Sequence, residues 1–247
     1  MNRYIIADLK RIFKKKSHWI IFAILVLFCA IGCIDMGSTP MTGADIIDSL
    51  KMDFNYAAVP FGVLSIFYVF ADDLKAKTSQ IAIGIGISRR EVVIAKWLES
   101  ALMMAIDILL IFIACILTNL VSTTAHPTFG EWIQAAVVAF VAIFQMAAYL
   151  SIVMITIYAG HGTTLALLIY VLLSCGLINK AVNYLGYFSV PRALHIPQMS
   201  ITNLATTCRS RMILGSAAPL QWLGLAIYIV IGIVVTVEIF KHQELEF

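Results

Sequence analysis

The chain has 247 residues, of which 61% are hydrophobic and only 13% charged, with a formal net charge of +3 and a mean hydropathy of +0.94. A soluble domain carries about a quarter charged residues, so this composition excludes an ordinary water-facing fold, and no nucleic-acid partner is expected. The apolar residues fall in blocks about as long as a bilayer-crossing helix, roughly 20 residues, and the blocks are continuous instead of alternating, which excludes a β-barrel. The expectation is an all-α integral membrane protein forming a single transmembrane domain over 1–247.

Residues 1–17 read as an amphipathic helix. On a helical wheel Ile5, Ile6, Leu9, Ile12 and Phe13 share one arc, and Arg3, Lys10, Arg11, Lys14 and Lys15 lie opposite. That pattern suits a helix lying in the headgroup plane of a lipid bilayer, with Lys10, Arg11, Lys14, Lys15 and Lys16 at the membrane interface. No cleavage-site pattern follows cleanly, so a removed signal peptide is not expected. Six runs without Asp, Glu, Lys or Arg follow, at 18–34, 56–71, 97–121, 132–158, 163–179 and 219–240. Each is read as a transmembrane helix, the second and fifth being short.

Orientation follows from the bias of basic residues toward the cytoplasm. With the N-terminus inside, twelve fall on the cytoplasmic side (Arg3, Lys10, Arg11, Lys14, Lys15, Lys16, Lys75, Lys77, Arg89, Arg90, Lys96, Lys241) and five outside (Lys51, Lys180, Arg192, Arg209, Arg211). The first outer loop carries Asp35, Asp45, Asp48 and Asp53 beside a single lysine. Both termini are therefore expected in the cytoplasm.

The stretch 72–96 lies between the second and third spans. Asp72, Asp73, Lys75 and Lys77 open it, isoleucines at 81, 83, 85 and 87 alternate with small residues, and Gly84 and Gly86 break any regular helix. Ser88-Arg89-Arg90-Glu91 then spells a capping box, in which the Ser88 hydroxyl accepts from the Glu91 amide while the Glu91 carboxylate reaches back. The third helix is thus expected to start in the cytosol, before the membrane, and the whole stretch to form a compact protrusion suited to docking.

Asp72 or Asp73, Gly84, Ser88-Arg89 and Lys96, in that order, resemble the cytoplasmic loop of permease subunits of type-2 ABC exporters. The basic helix before the first span, six spans, a long outer segment before the last and the tail Glu238-Ile-Phe-Lys-His-Gln-Glu fit the same outline. The family usually has Glu where Asp72 or Asp73 stands. The resemblance implies a pair of permeases, two copies or this chain with a related one, forming the pathway in a bacterial plasma membrane. A separate ATPase subunit would dock on the loop through Asp72, Asp73, Lys75, Lys77, Ser88, Arg89, Arg90, Glu91 and Lys96. No phosphate-binding G-x-x-x-x-G-K-[ST] loop occurs in the chain, so ATP and Mg²⁺ would belong to that partner, and no cofactor is expected here.

Asp107 stands midway through the third run, with Glu99 two turns earlier on a similar face. An intramembrane carboxylate is a functional candidate by default, so both are candidates for the pathway or the subunit seam. The plainer role for Asp107 is a hydrogen bond to Gln145 or Thr156 of the fourth span. His161, between Gly160 and Gly162, has a side chain that titrates near neutrality but sits in a tight link without nucleophile or zinc partners, and reads as a turn residue. Cys29, Cys33, Cys115 and Cys175 lie in spans and Cys208 in a loop, without metal-ligand spacing, as small packing residues do. The outer segment 180–218, with Pro191, Pro197, Tyr184, Tyr187, Phe188, Arg192, Arg209 and Arg211, suggests short helices on the outer surface. Two other classes compete with the exporter permease: a secondary transporter using Asp107, and a membrane scaffold without transport. No internal repeat of the kind secondary transporters show is visible. Catalysis is not expected.

Overall fold

The computed structural model describes residues 2–32, 42–76, 78–121, 126–160, 162–188 and 195–242. Among them the chain is helical nearly throughout and has no strand. In order these are α1 (Asn2–Phe13), α2 (Lys16–Gly32), α3 (Gly43–Tyr56), α4 (Ala58–Ser65), a wide π-helical turn (Ile66–Ala71), α5 (Asp72–Ala76), α6 (Thr78–Gly84), α7 (Arg89–Val121), α8 (Phe129–Gly160), α9 (Thr163–Ser174) and α10 (Leu177–Leu185). A short 3₁₀ turn (Ile196–Met199), α11 (Ile201–Ile213) and α12 (Pro219–His242) complete the chain.

Four stretches are long and apolar enough to cross a bilayer: Gly43–Leu74, Arg89–Val121, Phe129–Gly160 and Pro219–His242. A fifth arises if α9 and α10, bent 62° apart, belong to one span. The bend falls where Gly176 takes a φ of 73°, a left-handed conformation that a residue with Cβ rarely adopts. The predicted run 163–179 is therefore interrupted. Helix α2, 17 residues long, sits at the lower limit for a crossing.

The second predicted span differs most from expectation. Helix extends back to Gly43, so Asp45, Asp48 and Asp53 stand on α3 and not in a loop. Ile46, Ile47, Leu50 and Phe54 form its buried face, while Lys51 bonds Asp48 at 2.9 Å and Gln134 of α8 at 3.0 Å. A search for charge-free runs misses such a helix because its charges occupy one face only. Pro60 has no N–H for the Tyr56 carbonyl, in keeping with the break between α3 and α4 at Ala57. Tyr170 of α9 seals this region by donating to the Ala58 carbonyl at 2.9 Å. A Cβ on Gly62 would lie 1.8 Å from the Tyr170 ring, so only glycine admits that contact.

Helix α8 is the central post, packed by α3, α7, α9, α11 and α12. Its apolar window is 72% buried against 33% for α7 and 28% for α12, which leaves the latter two to present Leu109, Leu117, Leu223 and Val234 outward. Where α8 meets α12, a Cβ on Gly232 would fall 2.6 Å from the Ser151 carbonyl oxygen. Close backbone approach over small residues is how helices associate where lipid removes the hydrophobic drive.

Candidate functional site

Helix α7 is 33 residues long, about 50 Å, well beyond the roughly 30 Å hydrocarbon layer. It is thus longer than a single crossing needs. Its start has the reciprocal cap that the sequence spacing implies: the Ser88 amide donates to Glu91 at 3.0 Å and the Glu91 amide to the Ser88 hydroxyl at 3.3 Å. Arg89 turns inward, donating from Nη1 to the carbonyls of Phe240 at 2.7 Å and Lys241 at 2.9 Å. A guanidinium on the last carbonyls of α12 is favoured by that helix's dipole. It brings the C-terminal end of α12 to the same end of the bundle as the 72–96 stretch.

One turn or more further along α7, Lys96 is completely buried. Its Nζ lies 2.5 Å from Asp8 of α1, 3.2 Å from Asp73 of α5 and 3.1 Å from Glu99 of α7, and 5.0 Å from the centroid of the Tyr4 ring. Ser79 of α6 donates to Asp73, Arg11 lies 3.4 Å from Asp8, and Lys15 pairs with Asp72. An ammonium out of water must be met by carboxylates, and here they arrive from α1, α5 and its own helix α7. The phenol of Tyr4 is pushed up to about 12, mainly by burial and then by the carboxylates of Asp73 and Asp8, against the pull of Lys96.

The structure divides the predicted docking set. Asp73 and Lys96 are buried in the protein's own cluster, Asp72 is taken by Lys15, and Arg89 is turned onto α12, whereas Ser88, Arg90 and Glu91 are exposed. Lys77, and the side chain of Lys75, lie outside the described residues. The basic face of α1 divides too: Lys10, Lys14 and Lys16 are exposed, while Arg11 and Lys15 are engaged in ion pairs. Helix α1 packs along α7, with Ile5 and Ile12 buried and Ile6 still outward. Asp8, Tyr4 and Arg11 thereby enter the cluster. A lone acid amid the six basic residues of 1–17 was the signal for Asp8.

Two turns deeper than Glu99, Asp107 has a different partner from the ones the sequence suggested. His18 of α2 places Nε2 3.3 Å from its Oδ1, and both side chains are fully buried. Gln145 instead donates to Tyr149 at 2.7 Å and accepts from Arg209, and Thr156 bonds back to the Val153 carbonyl. His18, Phe22 and Cys29 form the buried face of α2, and α2 packs along α7. Glu99 belongs to the Lys96 cluster and not to the Asp107 pair.

At the opposite end, Ser200 caps α11 and donates to Asn179, while Asn203 bonds Asn183 and the Pro197 carbonyl. This ties the 3₁₀ turn and the start of α11 to α10. Helix α11 packs on α8 and α12, so Arg209 is drawn inward to Gln145 and burial lowers its guanidinium from the ordinary arginine value. An open depression there is lined by Lys180, Asn183, Tyr184, Gly186 and Tyr187. Pro191 and Arg192 lie outside the described residues, as do Asp35, Cys33 and His161. No group of three or more His, Cys, Asp or Glu side chains that could hold a metal ion occurs among the described residues. No protein-family model matches this chain, and no curated protein matches it.

Proposed function

We propose that the chain is the membrane-spanning permease subunit of an ATP-driven exporter, crossing the bilayer six times in a cell membrane of the bacterial plasma-membrane type. It would pair with a second permease and couple to a separate ATPase subunit that holds ATP and Mg²⁺. The observation that carries this reading is the build of the 72–96 stretch. Its inner side is pinned to α1 and α7 through Lys96, Asp73, Ser79 and Asp8, and its outer side presents Ile81 and Ile85, 60% and 76% exposed, beside Arg90 and Glu91. A braced, partly apolar, charge-edged knob is what a soluble partner needs if its movement is to be passed to transmembrane helices. Arg89 links the same knob to α12, so a push on it would reach α1, α7 and α12 together. The basic-residue bias assigns this end to the cytoplasm.

The test is co-purification of an ATPase subunit with the full chain extracted from its native membrane, comparing wild type with Ile85→Asp/Arg90→Glu. Both positions are exposed and neither belongs to the buried cluster. Capture by the wild type and loss with the double variant is expected. If no ATPase accompanies the wild type, or if the variant retains it in full, the reading fails.

A further inference from the structure

Between Glu131 and Glu238 the sequence contains no Asp or Glu, yet over the same stretch it carries Lys180, Arg192, Arg209 and Arg211. A cation there finds no acid in its own part of the chain. Lys180 stands exposed on α10, and its ammonium has no hydrogen-bond or ion-pair partner among the described residues. It opens onto the depression of about 720 Å³ whose other walls are Asn183, Tyr184, Gly186 and Tyr187.

A chain of side-chain amides sets the donors around this recess. Ser200 donates to Asn179 Oδ1 at 2.6 Å, and Asn179 Nδ2 to Asn203 Oδ1 at 3.2 Å. Asn203 Nδ2 donates both to Asn183 Oδ1 at 2.8 Å and to the Pro197 carbonyl at 2.7 Å. A carbonyl can only accept, so Asn203 must present nitrogen there and Asn183 must answer it with oxygen. The Asn183 NH₂ is left as an unspent donor beside Lys180. The phenols of Tyr184 and Tyr187 likewise have no hydrogen-bond partner among the described residues. An ammonium, an amide N–H and two phenols, with no carboxylate among them, are the complement of an oxyanion.

The surroundings select the kind of oxyanion. Thr202, at the start of α11, meets Tyr149 of α8 at 2.8 Å, and the Met199 carbonyl accepts from Tyr228 of α12 at 3.0 Å. Tyr149 is twenty residues, about 30 Å, into α8 and eleven, about 17 Å, from its end. The segment after α10 therefore dips from the far end of the bundle toward the middle of α8. Helix α10 gives Asn179 and Asn183 to the start of α11, while Leu177 and Leu185, with Phe188 just beyond, face outward. A polar recess beside an outward apolar face, along a helix of bilayer-crossing length, fits an amphiphile with its head in the recess and its chains on the face. A free ion needs no such face.

We propose that this recess binds the phosphate of an anionic phospholipid. Lys180 supplies the charge, Asn183, Tyr184 and Tyr187 the hydrogen bonds, and Leu177, Leu185 and Phe188 receive the acyl chains. Binding of this kind requires helices in a bilayer and no ATPase partner, so it stands or falls apart from the exporter reading.

The test is lipid retention by the full chain in a neutral detergent, read by native mass spectrometry. The probes are phosphatidylglycerol, phosphatidylcholine of identical chains, and inorganic phosphate. Wild type should hold phosphatidylglycerol about tenfold more tightly than phosphatidylcholine, which has the same phosphate but no net charge, because a hydrogen bond between charged groups is at stake. Lys180→Gln should remove that preference, Lys180→Arg should keep it, and Lys14→Gln, on the exposed face of α1, should leave it unchanged. A preference that survives Lys180→Gln, or one absent from wild type, overturns the proposal. So does inorganic phosphate bound as tightly as the lipid, which would mean a site for the free ion. Should the Lys180 variants not fold, amine labelling of wild type still decides: protection of Lys180 by phosphatidylglycerol and not by phosphatidylcholine supports the site, and equal labelling in both overturns it.

Discussion

Helix α7 meets the N-terminal segment at two ionic contacts of opposite design. At Lys96 one ammonium is shared among Asp8, Asp73 and Glu99, with Arg11 behind Asp8. At Asp107 a single carboxylate faces a single imidazole in an aromatic box. A shared cluster has several carboxylates, so a proton gained by one leaves Lys96 still paired. The cluster thus has redundancy that the isolated pair lacks.

Substitutions should separate these designs. Lys96→Met removes the ammonium from the cluster, strands buried Asp73 and Glu99 and leaves Asp8 with Arg11, so the largest loss of stability is expected there, about 3–5 kcal/mol by detergent unfolding. A loss no greater than that of an exposed lysine such as Lys14→Met would break the comparison. Asp107→Ala should cost less, about 1–3 kcal/mol, because it leaves one buried imidazole without its partner, whereas Lys96→Met leaves several carboxylates without theirs. If Asp107→Ala proves costlier than Lys96→Met, the two contacts have been ranked wrongly. Smallest should be Arg89→Gln, about 1 kcal/mol, since it removes a charge from the C-terminal carbonyls of α12 without leaving a buried charge. Hydrogen exchange confined to residues near Phe240 and Lys241 would show that loss directly.

Much of the fold was legible because lipid imposes a coarse rule. The runs 97–121, 132–158 and 219–240 reappear inside α7, α8 and α12, with ends displaced by at most eight residues. Ser88 to Glu91 was legible too, since a capping box depends only on neighbours three residues apart. Where a helix carries charge on one face, as at Asp45 and Asp48, the charge-free criterion fails. It also fails where Gly176 breaks a run internally, because hydropathy does not report backbone direction.

The candidate sites divide on the same line. Residue types, spacing and length by themselves determined that this is a helical protein with long apolar helices. They also determined that Asp107 needs a partner and that a capping box starts α7, for those properties arise from burial cost and local hydrogen bonding. Only the tertiary structure decided that Lys96 and Asp73 face inward, that Asp8 joins them, and that His18 and not Gln145 answers Asp107. Those choices depend on how α1 and α2 lie along α7, and the pairing of helices distant in sequence is set by the summed packing of whole faces, which no single residue announces.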